Sequence, residues 1–459
     1  MTTAAALALS LLAPTPALAD ENDPVLTGEA RAEQAALELA EETGEPVPVE
    51  ELLGERRDVV ANPDGTFTAT EYVQPIRTRQ NGTWVDTDPT LVERDDGRLA
   101  PHASTLGLSL SNGGEGPLAV LNRAGKELAL GWPTPLPEPS VDGETATYPQ
   151  VIPGVDLVVR AGVDGFSQVL VVEDADAAAQ PEIAELQMSV GVDSLRLEVT
   201  DQGSVEAVDT SVGGAVFEAP TPLMWDSGIP GDEELSAMSA DDPGTGLDPT
   251  EGPLESSTIA QIGVEADDDM LVLTPDAQLL QDPETNYPVY IDPVWKTSTT
   301  SAWAMVSSGY RTDSYWKFSG SNNEGAGRCP QLAGDPYYCT NAGIKRLFYR
   351  LPTSAYAGKQ ILSAEFAVTL RHTYDSTGRA AQLYRTGGIT SSTTWANQPS
   401  WTESLDTKSP VEAPISAVEP PMALLYMFEL SLQREALCIK MATHVAFASN
   451  LSTKVMLIF

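Results

Sequence analysis

The sequence predicts an all-β protein, and two observations predict it. Residues 344–401 hold short runs of alternating apolar and polar residues, IKRLFYRLP, GKQILSAEFAVTLRH and AAQLYRTGGITSSTTWANQPSW, each bounded by Gly, Pro, Asn or Ser. Alternation with period two places the apolar side chains on one face of a strand, the pattern of a half-buried antiparallel sheet. Paired runs elsewhere are joined by residues that accept positive φ: Asn81-Gly82 within IRTRQNGTWVD, Asp164-Gly165 between LVVR and FSQVLVV, and Asp201-Gln202-Gly203 within residues 195–208. Asn-Gly is the strongest short signal for a two-residue hairpin turn. A sandwich or open barrel of successive hairpins follows.

With 459 residues the chain has room for two or three domains, each with its own core. Residues 1–19 read as a signal peptide. An apolar stretch spans residues 4–12, and Ala17-Leu18-Ala19 precedes Asp20 as an A-x-A site, so cleavage is expected between Ala19 and Asp20. The implied localisation is secreted and extracellular. No other run approaches the roughly 18 apolar residues of a membrane helix, so no membrane span is expected. Residues 20–58 form a lead-in. Its segment 28–42, GEARAEQAALELAEE, predicts a short amphipathic helix with Ala36, Leu37 and Ala40 on one face.

Residues 59–292 carry the successive hairpins and form the β-rich N-terminal domain. Within them, residues 226–257 are rich in Gly, Pro, Ser, Asp and Glu and predict a flexible acidic linker or loop. A helical turn is expected at residues 276–281. Asp267, Asp268 and Asp269 lack the spacing of a calcium loop and fit a solvated hairpin turn. Neither a metal nor a cofactor is expected. Residues 293–408 form a second β-sandwich. From residue 409 the composition changes: glycine is absent although the chain has 36, and Met and Leu cluster. Residues 409–459 therefore read either as the product of a frameshift or junction, which would leave the sandwich truncated, or as a C-terminal helix over 422–436.

The runs quoted from residues 344–401 resemble the DNRLRE-type module, a jelly-roll β-sandwich of secreted bacterial proteins related to carbohydrate-binding modules. ANPDGTFT (61–68), GTWVDTD (82–88), YPQVIPGVDLVV (148–159) and PLMWDSG (222–228) resemble the N-terminal part of large secreted proteins of Gram-positive bacteria. Those proteins carry DNRLRE, LamG-like or RHS/YD-repeat segments further along. NYPVYIDP (286–293) resembles the hinge before the module, which puts the domain boundary there. The resemblance implies extracellular recognition of glycans or surfaces.

Formal net charge is −40, from 66 acidic and 26 basic residues. Such a chain repels phosphate backbones, so nucleic acid is not expected as a partner. Catalytic motifs of the H-E-x-x-H, G-x-S-x-G and P-loop kinds are absent, and His102, His372 and His444 lie far apart in sequence. No catalytic residue is assigned. The remaining lead is aromatic. Tyr384, Trp395 and Trp401 could stack on pyranose rings, and Arg371, His372 and Arg385 could hold acidic sugars through charge-assisted hydrogen bonds. Trp316 and Phe318 alternate in SYWKFSG and fit a core face as well as a binding face. The expected function is a secreted, non-catalytic cell-envelope or glycan-binding protein, with polysaccharide or cell-wall glycan as partner. Two alternatives stand beside it: the N-terminal export and scaffold portion of an RHS-type or polymorphic-toxin-like secreted protein, and the accessory part of a polysaccharide-degrading enzyme.

Export permits disulfides, and Cys329 and Cys339 bracket the Gly/Pro-rich loop CPQLAGDPYYC while Cys438 has no local partner. Mass spectrometry of the unreduced secreted protein should find a Cys329–Cys339 linked peptide. In the loop-entropy model, closing about ten residues contributes on the order of 3 kcal/mol. Free alkylation of both cysteines in the folded protein would contradict the bridge.

Overall fold

The computed structural model describes residues 28–201, 203–228, 248–254, 256–267, 269–292, 294–297, 301–318, 325–328, 343–352, 354–373, 380–408, 424–429, 436–441, 445–448 and 454–458. For residues 297, 369–373 and 424–458 only the backbone is described. The fold is all-β. Among the described residues, Gly28–Thr43 is the one helix longer than five residues.

The turns form where local chemistry demands them. Arg77–Gln80 pairs with Thr83–Asp86 through a two-residue loop in which Asn81 and Gly82 have φ of 52° and 85°. Both central residues are left-handed, as a type I′ turn requires. Leu195–Val199 and Val205–Asp209 are joined through Gly203, whose N–H donates to Thr200 O at 2.9 Å. Asp267 closes the hairpin between Gly263–Ala266 and Met270–Thr274, its Oδ1 accepting from the backbone of Asp269 and Met270. Asp276 caps the Ala277–Gln281 helical turn by accepting from Leu279 N at 2.8 Å.

Two sheets enclose the first core. One has eight strands, in the order Gly263–Ala266, Met270–Thr274, Leu186–Asp193, Lys126–Gly131, Pro117–Arg123, Gly107–Leu110, Leu99–Ala103 and Asp88–Glu93. The other has eleven strands, with Thr145–Ile152, Val155–Ala161, Gly165–Val172, Val294–Thr297, Ala215–Ala219 and Val205–Asp209 successive neighbours along it. Val155–Ala161 buries every second residue, the mark of a strand with one dry face. Leu110, Leu121 and Leu130 from one sheet meet Leu157, Phe166 and Trp295 from the other.

The second core has a less local origin. Ala36 and Ala40 of the first helix, together with Val59, Ala61 and Ala69, pack with Trp303, Tyr349, Phe366 and Leu383. Residues 28–73 thus belong with residues 302–383, not with the hairpins that follow them. The sequence-based division placed 59–292 in one domain; the chain instead starts in the second body, crosses to the first, and returns. The return also lies later than the expected boundary. Val289–Asp292, taken as a hinge, is a strand paired on both sides, and the first body's sheet runs on through Val294–Thr297.

The acidic segment 226–257 is an insertion within a hairpin. Leu223–Asp226 pairs with Ile259–Gln261, so the chain leaves and returns at one place. Buried Asp226 fixes that place by accepting from the backbone N–H groups of Gly228, Thr258 and Asn286 at 3.1, 2.7 and 3.2 Å. The returning end is held too. Arg160 pairs with Asp248 and Glu251, and Trp225 Nε1 donates to Pro249 O. Residues 229–247 lie outside the described residues.

The tail forms strands where a helix over 422–436 was one expectation. Leu424–Glu429 pairs with Ser363–Thr373, and Ala436–Met441 lies between Ile344–Arg350 and Ala381–Thr386. Lys454–Ile458 lies between Phe67–Tyr72 and Ser363–Thr373. Unpaired sheet edges supply the reason: each holds a row of backbone groups that only another strand satisfies.

Gly165 stands opposite Lys296 in the first body's sheet. A Cβ there would collide with Trp295 O and come within 2.9 Å of Lys296 Cα. Gly165→Ala should therefore force the Val294–Thr297 strand outward and lower stability by about 1–3 kcal/mol or more. Urea denaturation of the variant checks this; an unchanged midpoint would mean the strand shifts freely.

Candidate functional site

The structure brings together part of the aromatic group picked out from the sequence. Tyr384 and Trp401 lie with ring centroids 5.1 Å apart. Trp395 joins them through a residue the sequence reading missed. Arg346 places its guanidinium carbon 4.1 Å from the Trp395 ring centre and 4.4 Å from that of Trp401. Its Nη1 donates to Gln398 Oε1 at 2.6 Å, and Gln398 Nε2 donates to Trp395 O at 2.8 Å. The loop beneath is tied by Asn397, which accepts from Thr394 N and donates to Ser392 O. The result is a cation held between two indole rings.

This arrangement undercuts a sugar platform, because guanidinium occupies the space between the two tryptophans. Arg385 is likewise committed: its Nη2 lies 2.6 Å from Glu403 Oε2. Trp316 and Phe318 are buried, in separate clusters on the two sides of their sheet. His102 lies on the surface 3.5 Å from Asp88. The side chains of Arg371 and His372 lie outside the described residues, as do Cys329, Cys339, Ala19, Asp20 and His444.

The greater concentration of buried chemistry is the seam between the two bodies. Strand Val294–Thr297 turns Trp295 into the first core and presents Lys296 on the opposite face, across from Gly165 and Glu218. The second body covers that face. Lys317, at a left-handed φ of 49°, buries its side chain and brings Nζ to 2.5 Å from Glu218 Oε1. Lys296 Nζ donates to Lys317 O at 2.6 Å and lies 5.4 Å from the Trp303 ring centre. Trp303 O in turn accepts from Lys317 N at 2.8 Å.

Further ion pairs line the same junction. Arg56 reaches Asp164 at 2.7 Å, and Arg123 holds Glu55 through both nitrogens at 2.9 and 2.8 Å. Gln261 donates to Asp313 Oδ1 at 3.0 Å. Burial sets the protonation equilibria. It lowers the Lys296 ammonium and the Arg350 guanidinium, with nearby carboxylates opposing, and raises the Asp313 carboxyl. Asp292 is pushed up to about 7 by burial, against the pull of Lys296. The residue is half-buried overall, but its Oδ1 is sealed from solvent and receives no hydrogen bond. Among the described residues, no group of three or more His, Cys, Asp or Glu side chains is arranged to hold a metal ion.

No family model matches the chain. Three curated proteins resemble it over about half its length. It is 25% identical over 270 residues to the tRNA3(Ser)-specific nuclease WapA of Bacillus spizizenii and to the tRNA(Glu)-specific nuclease WapA of Bacillus subtilis subsp. natto. It is 24% identical over 278 residues to the tRNA nuclease WapA of Bacillus subtilis. In each case the match covers 55% of this chain and 10% of the relative, so the chain spans about a tenth of the length of the curated relatives it matches. Among solved structures, a Paenibacillus xanthan lyase aligns over 88% of this chain and 47% of its own at 10% identity, with a TM-score of 0.11, too low to bear on the fold. These relatives overturn two expectations. The reading as a non-catalytic glycan-binding protein gives way to a likeness to proteins named as tRNA nucleases, and the exclusion of nucleic acid as a partner conflicts with relatives named for acting on tRNA.

Proposed function

We propose that this chain is the N-terminal export and scaffold portion of a large secreted, toxin-like protein whose complete form acts on tRNA. The observation that carries the reading is the match of 270 residues, at 25% identity, to a tenth of much longer tRNA nucleases. The sequence adds to it. The A-x-A site at 17–19 supports secretion, and the segments quoted from residues 61–228 resemble the lead part of large secreted proteins with RHS or YD repeats. The chemistry of the second body agrees with a scaffold role: Arg346 is stacked between tryptophans and Arg385 is paired with Glu403, so both serve the fold. On this reading the second body is a jelly roll of the DNRLRE kind used as a structural module.

Two measurements test the proposal. A reporter enzyme fused after residue 459 should reach the medium of a Gram-positive host intact, and deleting residues 28–459 should leave it exported but degraded faster. Equal persistence without residues 28–459 would count against a scaffold. Incubation of the purified chain with total tRNA should leave the tRNA full-length on a denaturing gel. Specific cleavage by the purified chain would move the nuclease activity onto these residues.

A further inference from the structure

We infer that the buried seam between the two bodies is a latch, closed while the Asp292 carboxyl is protonated and loosened when it ionises. Among the described residues, charged side chains supply several of the contacts that cross the seam. Lys317 from the second body meets Glu218 of the first at 2.5 Å, with side-chain exposures of 1% and 7%. Lys296 of the first body donates to Lys317 O of the second. Arg56, from the segment that joins the second core, meets Asp164 of the first body. Asp292 lies four residues before Lys296 in the same run of sheet and faces its charge, and Lys296 in turn faces Asp164, Glu218 and Lys317. Arg350 adds a further cation near Glu218. Two strands over, beyond Leu223–Asp226, Gln261 reaches across to Asp313. The charge that bears on Asp292 is that of Lys296, which itself reaches across to the second body.

The geometry gives the protonated form its advantage. Asp292 Oδ1 is sealed from solvent with no hydrogen bond made to it. A neutral carboxyl tolerates that position, whereas an ionised carboxylate needs donors or water. The linkage sign follows. The folded carboxyl is raised to about 7 from an ordinary value of 3.8. The folded protein then holds a proton that the unfolded chain has lost, so this group's contribution is full below about pH 4 and declines as pH rises to about 7. Above that range the seam either carries a carboxylate with one oxygen kept from solvent and from donors, or admits water to it. Admitting water weakens Lys317–Glu218 and Lys296–Lys317, because both rely on a dry, low-dielectric setting.

The test uses the full secreted chain. Small-angle scattering and scanning calorimetry are recorded between about pH 5.5 and about pH 8.5, a span that brackets the Asp292 transition. At the acid end the two bodies should melt as one transition with a small radius of gyration. At the alkaline end the transition should split and the radius should increase. Asp292→Asn and Asp292→Leu, which carry no charge at either pH, should keep the single transition and small radius throughout. The paired change Lys317→Met with Glu218→Gln removes the ion pair without stranding a charge, and should split the transition at both ends. A wild-type chain with one transition and one radius across the range overturns the latch, and that measurement needs no variant to fold. Asp292→Asn opening with the same pH profile as wild type overturns it equally, by assigning the pH response to Asp313 or another acid.

Discussion

The two bodies are held in register by a charged contact removed from water, Lys317 against Glu218. Removing one partner of such a pair typically destabilises by about 3–5 kcal/mol, because the other charge is left dry. The contact constrains its surroundings. Lys317 must take a left-handed backbone to aim at Glu218, and its own N–H and C=O are then used to hold Trp303 O and Lys296. Lys296 can lie at the seam because its strand runs close against Gly165, the one residue type with no Cβ to obstruct it. A docking shifted by one residue would place these side chains on the wrong face, since sheet faces alternate. Burying the charges thus selects one register between the bodies, whatever net stability they add.

Features set within a few residues were legible in the sequence. Asn81-Gly82, Asp201 to Gly203, Asp267 and the Asp276 cap all follow from backbone conformation and short hydrogen bonds, and the first helix follows from the spacing of Ala36 and Ala40. The partnership of residues 28–73 with residues 302–383 was not legible, because strand pairing across so long a separation leaves no local mark. The site shows the same divide. Tyr384, Trp395 and Trp401 stood out by residue type, but the cation between the tryptophans comes from another strand. A signal did exist. In Ile344–Arg350 three consecutive residues, Leu347, Phe348 and Tyr349, are buried, so both faces of that strand are covered. Arg346 and Arg350 then share the face of Phe348, where each meets a tryptophan.

Net charge misleads for a different reason. A net charge of −40 describes the field around this chain. It does not report on the partners of proteins of which this chain matches a tenth. Aromatic residue type likewise says nothing of the cations able to cover the ring faces, as Arg346 covers those of Trp395 and Trp401. The geometry that decides between occupants of a site is not contained in composition.

The strand Lys454–Ile458 lies between Phe67–Tyr72 and Ser363–Thr373, joining the beginning of the described chain to its late strands. Ladder partners here, such as Thr68 with Ile458 and Tyr72 with Lys454, lie far apart in sequence, and contacts of such long range make folding slow. During synthesis the helix and first hairpin emerge with no partner for the outer edge of Phe67–Tyr72, and they wait until the closing strand has been made. A polypeptide of this topology keeps its second body unfinished until its late strands exist, while the hairpins of the first body, whose partners are near in sequence, need not wait for them.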